Sequence, residues 1–144
     1  MTAPPSARSA PVLMDTGVLV ALFDRQDPFH DTASRWMAAH HGPLLTVAPV
    51  LSETAFFLPA RLRGALARLA AQGVLDVRYP DSEGHARIAV LFDKYVDQDP
   101  DWADVALVWL AETSGITRIA TLDVADFNVY RIHGRKRFEL ALLR

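Results

Sequence analysis

The sequence predicts an α/β fold: a three-layer α/β/α sandwich with a mainly parallel central sheet of four to five strands. Two observations carry that prediction. Short apolar runs that read as buried strands alternate along the chain with longer segments of helical period, the order from which parallel sheets with helices on both faces are built. A length of 144 residues, with 51% apolar and 22% charged side chains, is the size and composition of one well-packed globular domain. Residues 11–144 therefore read as a single domain, and residues 1–10, MTAPPSARSA, as a loose leader.

Each element follows in order. Residues 11–14, PVLM, form an apolar run that stops at Asp15-Thr16-Gly17, a strand giving way to a helix that Asp15 or Thr16 can cap and whose apolar turns are Val18 to Phe23. Asp27-Pro28 reads as the N-cap and first residue of a second helix to about His40, with Phe29, Ala33, Trp36 and Met37 on one face. After the Gly42-Pro43 break, Leu44 to Val47 is a strand, and Val50 to Leu58 a helix that Pro59 ends or kinks. Arg61 to Ala71 is rich in strong helix formers, and Gly73 closes it. Val74 to Tyr79 alternates like a half-exposed strand, and Asp81-Ser82 opens a helix to about Tyr95. An acidic loop follows through Asp101. Trp102 to Thr113 is a strongly apolar helix, Ile116 to Leu122 a buried strand ending at Asp123, and Phe138 to Leu143 a last strand.

Composition excludes several function classes. A formal charge of −2 and a pI near 6.2 give the molecule no broad attraction for polyanions, so any such partner must be met locally. The absence of cysteine removes disulfides, thiolate metal sites and thiol nucleophiles, and agrees with a reducing compartment. The leader lacks the apolar core of a signal peptide, and no run approaches the roughly 18 apolar residues that span a bilayer. A soluble cytoplasmic protein is expected.

Against this background some acids are out of place. Asp15 lies within PVLMDTGVLV, where an ionised carboxylate without a partner is costly to bury. Asp15 and Asp123 both stand at the carboxyl ends of apolar strands, the edge of an open α/β sheet where ligands bind. Glu53 interrupts VLSETAFFL, and Asp104 interrupts DWADVALVWLAE. Brought together, these carboxylates would repel one another unless a cation sat among them, and carboxylate oxygens suit magnesium or manganese. One or two such ions activate water and stabilise phosphoryl oxygens. Each acid also has a plainer reading. Asp15 can be a helix cap, Glu53 can face solvent, Asp104 can pair with Arg118 or another cation, and Asp123 can simply end a strand in a turn.

The segments MDTGVLVALFDRQDPFH, VLSETAFFL, DPDWADVALVWLAE and IATLDVADFNVYR, in that order, resemble a PIN-domain ribonuclease, in particular the VapC-like toxins of toxin–antitoxin pairs. The resemblance covers the chain from Leu13 to Leu143. It implies that Asp15, Glu53, Asp104 and Asp123 are the catalytic and metal-binding acids, holding one or two Mg2+ or Mn2+ ions. Asp101 and Asp126 fall at positions that are commonly acidic in the family and are supporting candidates. Thr16 and Thr121 adjoin two of the acids and can orient a carboxylate through their hydroxyls, or serve as ordinary capping and strand threonines. The chain departs from the family pattern at Asp99-Pro100, where an apolar pair is usual, and in its longer leader.

The resemblance further implies hydrolysis of RNA phosphodiester bonds, inhibition by a cognate antitoxin, and a homodimer. Because the site is acidic, phosphate contacts must come from elsewhere; Arg131, His133, Arg135, Lys136 and Arg137 are candidates, competing with a merely solvated basic turn. Phe56, Phe57 and Leu58 are candidates for an interface or for the core. Three alternatives belong to other classes. Asp15-Thr16-Gly17 matches the aspartic-protease triplet, but that site needs two such loops in an all-β frame. A haloacid-type phosphatase would carry a second acid where Gly17 stands. A catalytically inactive PIN-like module binding RNA or protein would normally lack one of the four acids.

Overall fold

The computed structural model describes residues 10–142, so the leader's residues 1–9 and the last position of the expected final strand lie outside the described residues. The chain runs β1 (Val12–Met14), α1 (Thr16–Phe23), α2 (His30–Ala39), β2 (Leu44–Val47), α3 (Ala48–Phe57), α4 (Ala60–Ala71), β3 (Leu75–Arg78) and α5 (Ser82–Lys94). A 3-10 turn over Val96–Gln98 leads to α6 (Trp102–Ser114), β4 (Arg118–Ala120), α7 (Val124–Val129), β5 (Arg131–Ile132), β6 (Lys136–Arg137) and β7 (Glu139–Leu140).

Five strands form one parallel sheet in the order β3-β2-β1-β4-β7, with helices packed about it as expected. The order places a topological switch at β1. The chain steps outward through β2 and β3 on one side, then returns to lay β4 on the other, with Leu13 opposite both Leu45 and Ile119. The carboxyl ends of β1 and β4 therefore adjoin, the crevice where open α/β sheets take their ligands. Pairing continues past the strand, because the Asp15 amide donates to the Ala120 carbonyl at 3.1 Å. On the other flank the buried Thr46 hydroxyl donates to the Met14 carbonyl at 2.8 Å. Asp15 thus leaves β1 from a backbone held on both sides.

The core is built on β1, β4 and α6. Ala103 to Ala111 are buried without a break, so α6 is the central helix, apolar around nearly its whole circumference. Leu13, Leu19, Leu107, Leu110 and Ile119 are at most 2% exposed, each worth about 1.5–3 kcal/mol of burial. An acid at position 104 is consequently near the interior, as its neighbours imply.

The structure departs from expectation in the bounds of several elements and in two that the sequence does not announce. Asp27-Pro28 does not open α2: the Asp27 carboxylate instead accepts from the Phe29 amide at 2.8 Å, forming a turn that delays the helix to His30. Pro49 lies inside the first turn of α3, which starts two residues before the expected Val50, because a proline there removes no helical hydrogen bond. The last strand contracts to Glu139–Leu140 and β4 to Arg118–Ala120. The sequence expectation also omits α7 and the β5–β6 hairpin. In that hairpin His133 and Gly134 adopt φ of 52° and 71°, the pair of left-handed residues that a type I′ turn requires.

Candidate functional site

The crevice at the switch point holds a pocket of about 460 Å³ lined by Asp15, Thr16, Glu53, Asp101, Asp104 and Asp123, with Asp27, Gly17, Val20, Phe57 and Leu122 completing its wall. All four acids expected from the sequence reach it. They come from the ends of β1 and β4 and from α3 and α6, remote segments that only the sheet order assembles.

Local hydrogen bonding explains how each acid is aimed. Asp15 is the N-cap of α1: Oδ1 accepts from the Thr16 amide at 2.8 Å, and Oδ2 from the Thr121 hydroxyl at 2.6 Å. Thr121 Oγ1 also accepts from the Asp123 amide at 2.9 Å, so one hydroxyl ties the acid after β1 to the acid after β4. Asp101 caps α6 through the Asp104 amide, and Asp123 caps α7 through the Asp126 amide. Three helix N-termini thus turn towards the pocket, and their partial positive charge offsets some of the repulsion among the carboxylates.

That offset is incomplete. Burial pushes the Asp15 carboxyl up to about 6, against the lowering effect of its Thr121 and Thr16 bonds, and the charges of Asp101 and Asp123 add to the rise. Asp104 is pushed up to about 8 by burial, then by the charges of Asp101 and Asp15. Burial, then the Asp101 charge, raises Glu53, and burial, then Asp123, raises Asp126. The ion pairs among the described residues are Arg78–Asp76, Arg87–Glu112 and Arg118–Glu139, and none reaches the pocket. Asp104 therefore has no partner in Arg118, the pairing its plainer reading supposes.

A pocket of this kind fits a hard divalent cation bound through oxygen, and among the described residues that line it none offers a side-chain nitrogen or sulfur that would favour zinc. Oxygens of Asp104, Asp123 and Asp126 lie within 4.8 Å of one another, a spacing that one ion could share. Asp126, expected only in support, stands in this group, while Asp15 and Glu53 line the same pocket beside it. Thr16 Oγ1 adds a further oxygen. It is near enough to Glu53 to favour that acid's charged form, yet it is buried without a hydrogen-bond partner of good geometry.

Two features carry no signal in the sequence. Asp27 lines the pocket from the turn before α2. Tyr130, fully buried, donates from its hydroxyl to Asp104 Oδ2 at 2.9 Å. Nothing marks this tyrosine beyond its place shortly after Asp123. The basic candidates behave otherwise: none of Arg131, His133, Arg135, Lys136 and Arg137 lines the pocket. Arg131 Nη1 donates to the carbonyls of Asn128, Val129 and Tyr130, capping α7, whereas Arg135, Lys136 and Arg137 are exposed on the hairpin. The Phe56 and Phe57 rings are exposed and packed edge to face, while Leu58 is in the core.

Known proteins are similar to this chain in sequence and in fold. Ribonuclease VapC26 of Mycobacterium tuberculosis is 30% identical over 132 residues, covering 88% of this chain and 97% of that protein. The crystal structure of M. tuberculosis VapC20, described as a sarcin-ricin loop cleaving toxin, superposes with a TM-score of 0.73 at 21% identity, covering 79% of this chain and 91% of that one. The PIN domain family matches residues 12–131, which include every acid of the pocket. By both sequence and fold, the chain belongs to the PIN domain family.

Proposed function

We propose that the protein is a magnesium- or manganese-dependent endoribonuclease, acting as the toxin of a toxin–antitoxin pair in the cytoplasm. The observation that carries this reading is the convergence, at the sheet's switch point, of buried carboxylates that no cation among the described residues compensates. Its relatives are described as a ribonuclease and a toxin, which agrees with it. No helix among the described residues is long and apolar enough to cross a membrane. The activity belongs to the single domain over residues 11–144.

Asp15, Asp104 and Asp123, with Glu53 and Asp126, would hold one or two ions. A hard divalent ion bound there lowers the pKa of water and neutralises charge on a phosphodiester. The chain's own residues do the rest. Thr121 holds Asp15 and the Asp123 backbone in a fixed relation. Glu53, the half-exposed acid of α3 with a raised pKa, is placed to exchange a proton with water entering the open side. Arg135, Lys136 and Arg137, outside the pocket, contribute sequence-independent contacts to RNA phosphates. An antitoxin segment closes the pocket with a cationic side chain, and the exposed Phe56 and Phe57 contribute to a protein interface, with a second copy or the antitoxin.

The test is RNA cleavage with and without Mg2+ or Mn2+ by the wild type, Asp15→Asn and Asp104→Asn. Cleavage that chelation stops, and that each substitution lowers by more than about 100-fold, is expected, since even outer partners of metal ligands cost roughly 10–100-fold. Metal-dependent cleavage undiminished in both variants refutes the proposal. RNA binding without cleavage by the wild type assigns the chain to the inactive binding modules of the fold.

A further inference from the structure

We propose that Tyr130 is a positioning residue for the metal centre: its hydroxyl holds one oxygen of Asp104 and so turns the carboxylate to present the other to a cation. The inference rests on the reading of the pocket as a cation site and adds to it a side chain that carries no charge. The carboxylate torsion of an aspartate is broad and roughly two-fold, so the backbone of α6 does not by itself settle where the oxygens of Asp104 point. Asp101 does not settle it either: its cap uses the Asp104 amide, and beside the Asp104 carboxyl it brings another acid and not a donor hydroxyl or amide. The Tyr130 hydroxyl, 2.9 Å from Oδ2, is the donor that does.

Tyr130 is itself held from all sides. Its ring meets Tyr95 edge on at 5.0 Å and Phe127 at 5.2 Å, and it has no exposed surface. The Tyr95 hydroxyl accepts from the Arg131 amide at 2.9 Å, and the Arg131 guanidinium ties down the carbonyls that end α7. The same short segment begins with Asp123 and carries Asp126 in its first helical turn. One stretch, residues 123–130, therefore supplies two acids of the group within 4.8 Å and aims the third. A neutral O–H suits this task better than an arginine would. It orients the carboxylate while leaving its negative charge available to an ion.

The test compares Mn2+ binding by calorimetry in the wild type and Tyr130→Phe, which deletes only the hydroxyl, together with melting of each metal-free protein. Binding weakened by about 10-fold, with the metal-free fold retained, is the expected result. A second readout is spectroscopic: Mg2+ should perturb the near-ultraviolet tyrosine band of the wild type, and this change should vanish in Tyr130→Phe. Affinity in folded Tyr130→Phe within about twofold of the wild type overturns the role of Tyr130 and leaves the cation site standing, since positioning partners of metal ligands are worth more than that. A wild type that takes up no Mn2+ overturns both. If Tyr130→Phe does not fold, a wild-type tyrosine band indifferent to Mg2+ is sufficient to overturn the assignment.

Discussion

Helix α6 carries two mostly buried acids, Asp104 in its first turn and Glu112 eight positions on, about 12 Å along the axis. They meet opposite environments. Glu112 receives Arg87 Nε at 2.7 Å and Nη2 at 2.9 Å, and the His133 amide at 2.7 Å. Although burial alone would raise it, these donors hold its carboxyl below the usual range. Asp104 has a neutral hydroxyl and other acids for neighbours, and it rises to about 8. The Glu112 cluster completes itself, pinning the β5–β6 hairpin onto α6 and α5. Among the described residues no cation completes the Asp104 cluster, and an external ion would do so. A buried acid is thus a sign of structure or of function according to its counter-charge.

The largest test of that contrast is to remove the charge at each end. Asp104→Asn abolishes the metal response while relieving the metal-free protein. Folded Asp104 and Asp15 keep their protons to higher pH than in the unfolded chain, from 3.8 towards about 8 and about 6 respectively, so the unfolded state binds fewer protons in those windows. Stability of the metal-free wild type therefore falls as pH rises from about 4, up to about 6 through Asp15 and up to about 8 through Asp104. Saturating Mg2+ restores it, and Asp104→Asn flattens the slope. Thermal melting across that range decides the matter; a wild-type midpoint that climbs with pH and ignores Mg2+ would show that the pocket is already compensated.

A smaller effect is expected at the other end of the helix. Glu112→Gln leaves Arg87 with a weaker acceptor and loosens the hairpin, costing about 1–2 kcal/mol, less than a fully buried pair because Arg87 is a third exposed. The sign with pH is reversed: the Glu112 contribution is present above its ordinary 4.5 and is lost as acid protonates it. Denaturant unfolding of the variant should show this loss with Mg2+ affinity unchanged. Equal loss of Mg2+ affinity would join the two clusters into one unit.

The smallest effect concerns the exposed hairpin. Replacing Arg135, Lys136 and Arg137 with glutamine should lower RNA affinity at low salt and flatten the salt slope by roughly one unit for each phosphate that no longer meets a cation. A slope identical to that of the wild type would place RNA elsewhere on the surface.

Much of the site was legible because burial leaves its mark on local sequence. PVLM before Asp15 and the run before Asp123 read as strands that stop at an acid, and an acid within DWADVALVWLAE has little polar surface to occupy. The parts that stayed hidden lack such a mark. VADFNV is too short for a helical period to emerge, which hides α7, and with it the place of Asp126 in the group of three acids. The basic run looks available for phosphate, but Arg131 is taken up by the carbonyls that end α7, a use that no composition records.

By itself, the order of apolar runs and breaks determined the alternating α/β plan and which acids would be costly to bury, since both depend on side chains within a few positions of each other. Only the tertiary structure decided which of those acids found a counter-charge. Asp104 and Glu112 differ through Tyr130, Arg87 and His133, which approach from other elements, and electrostatic compensation depends on distance through space, to which separation along the chain is blind.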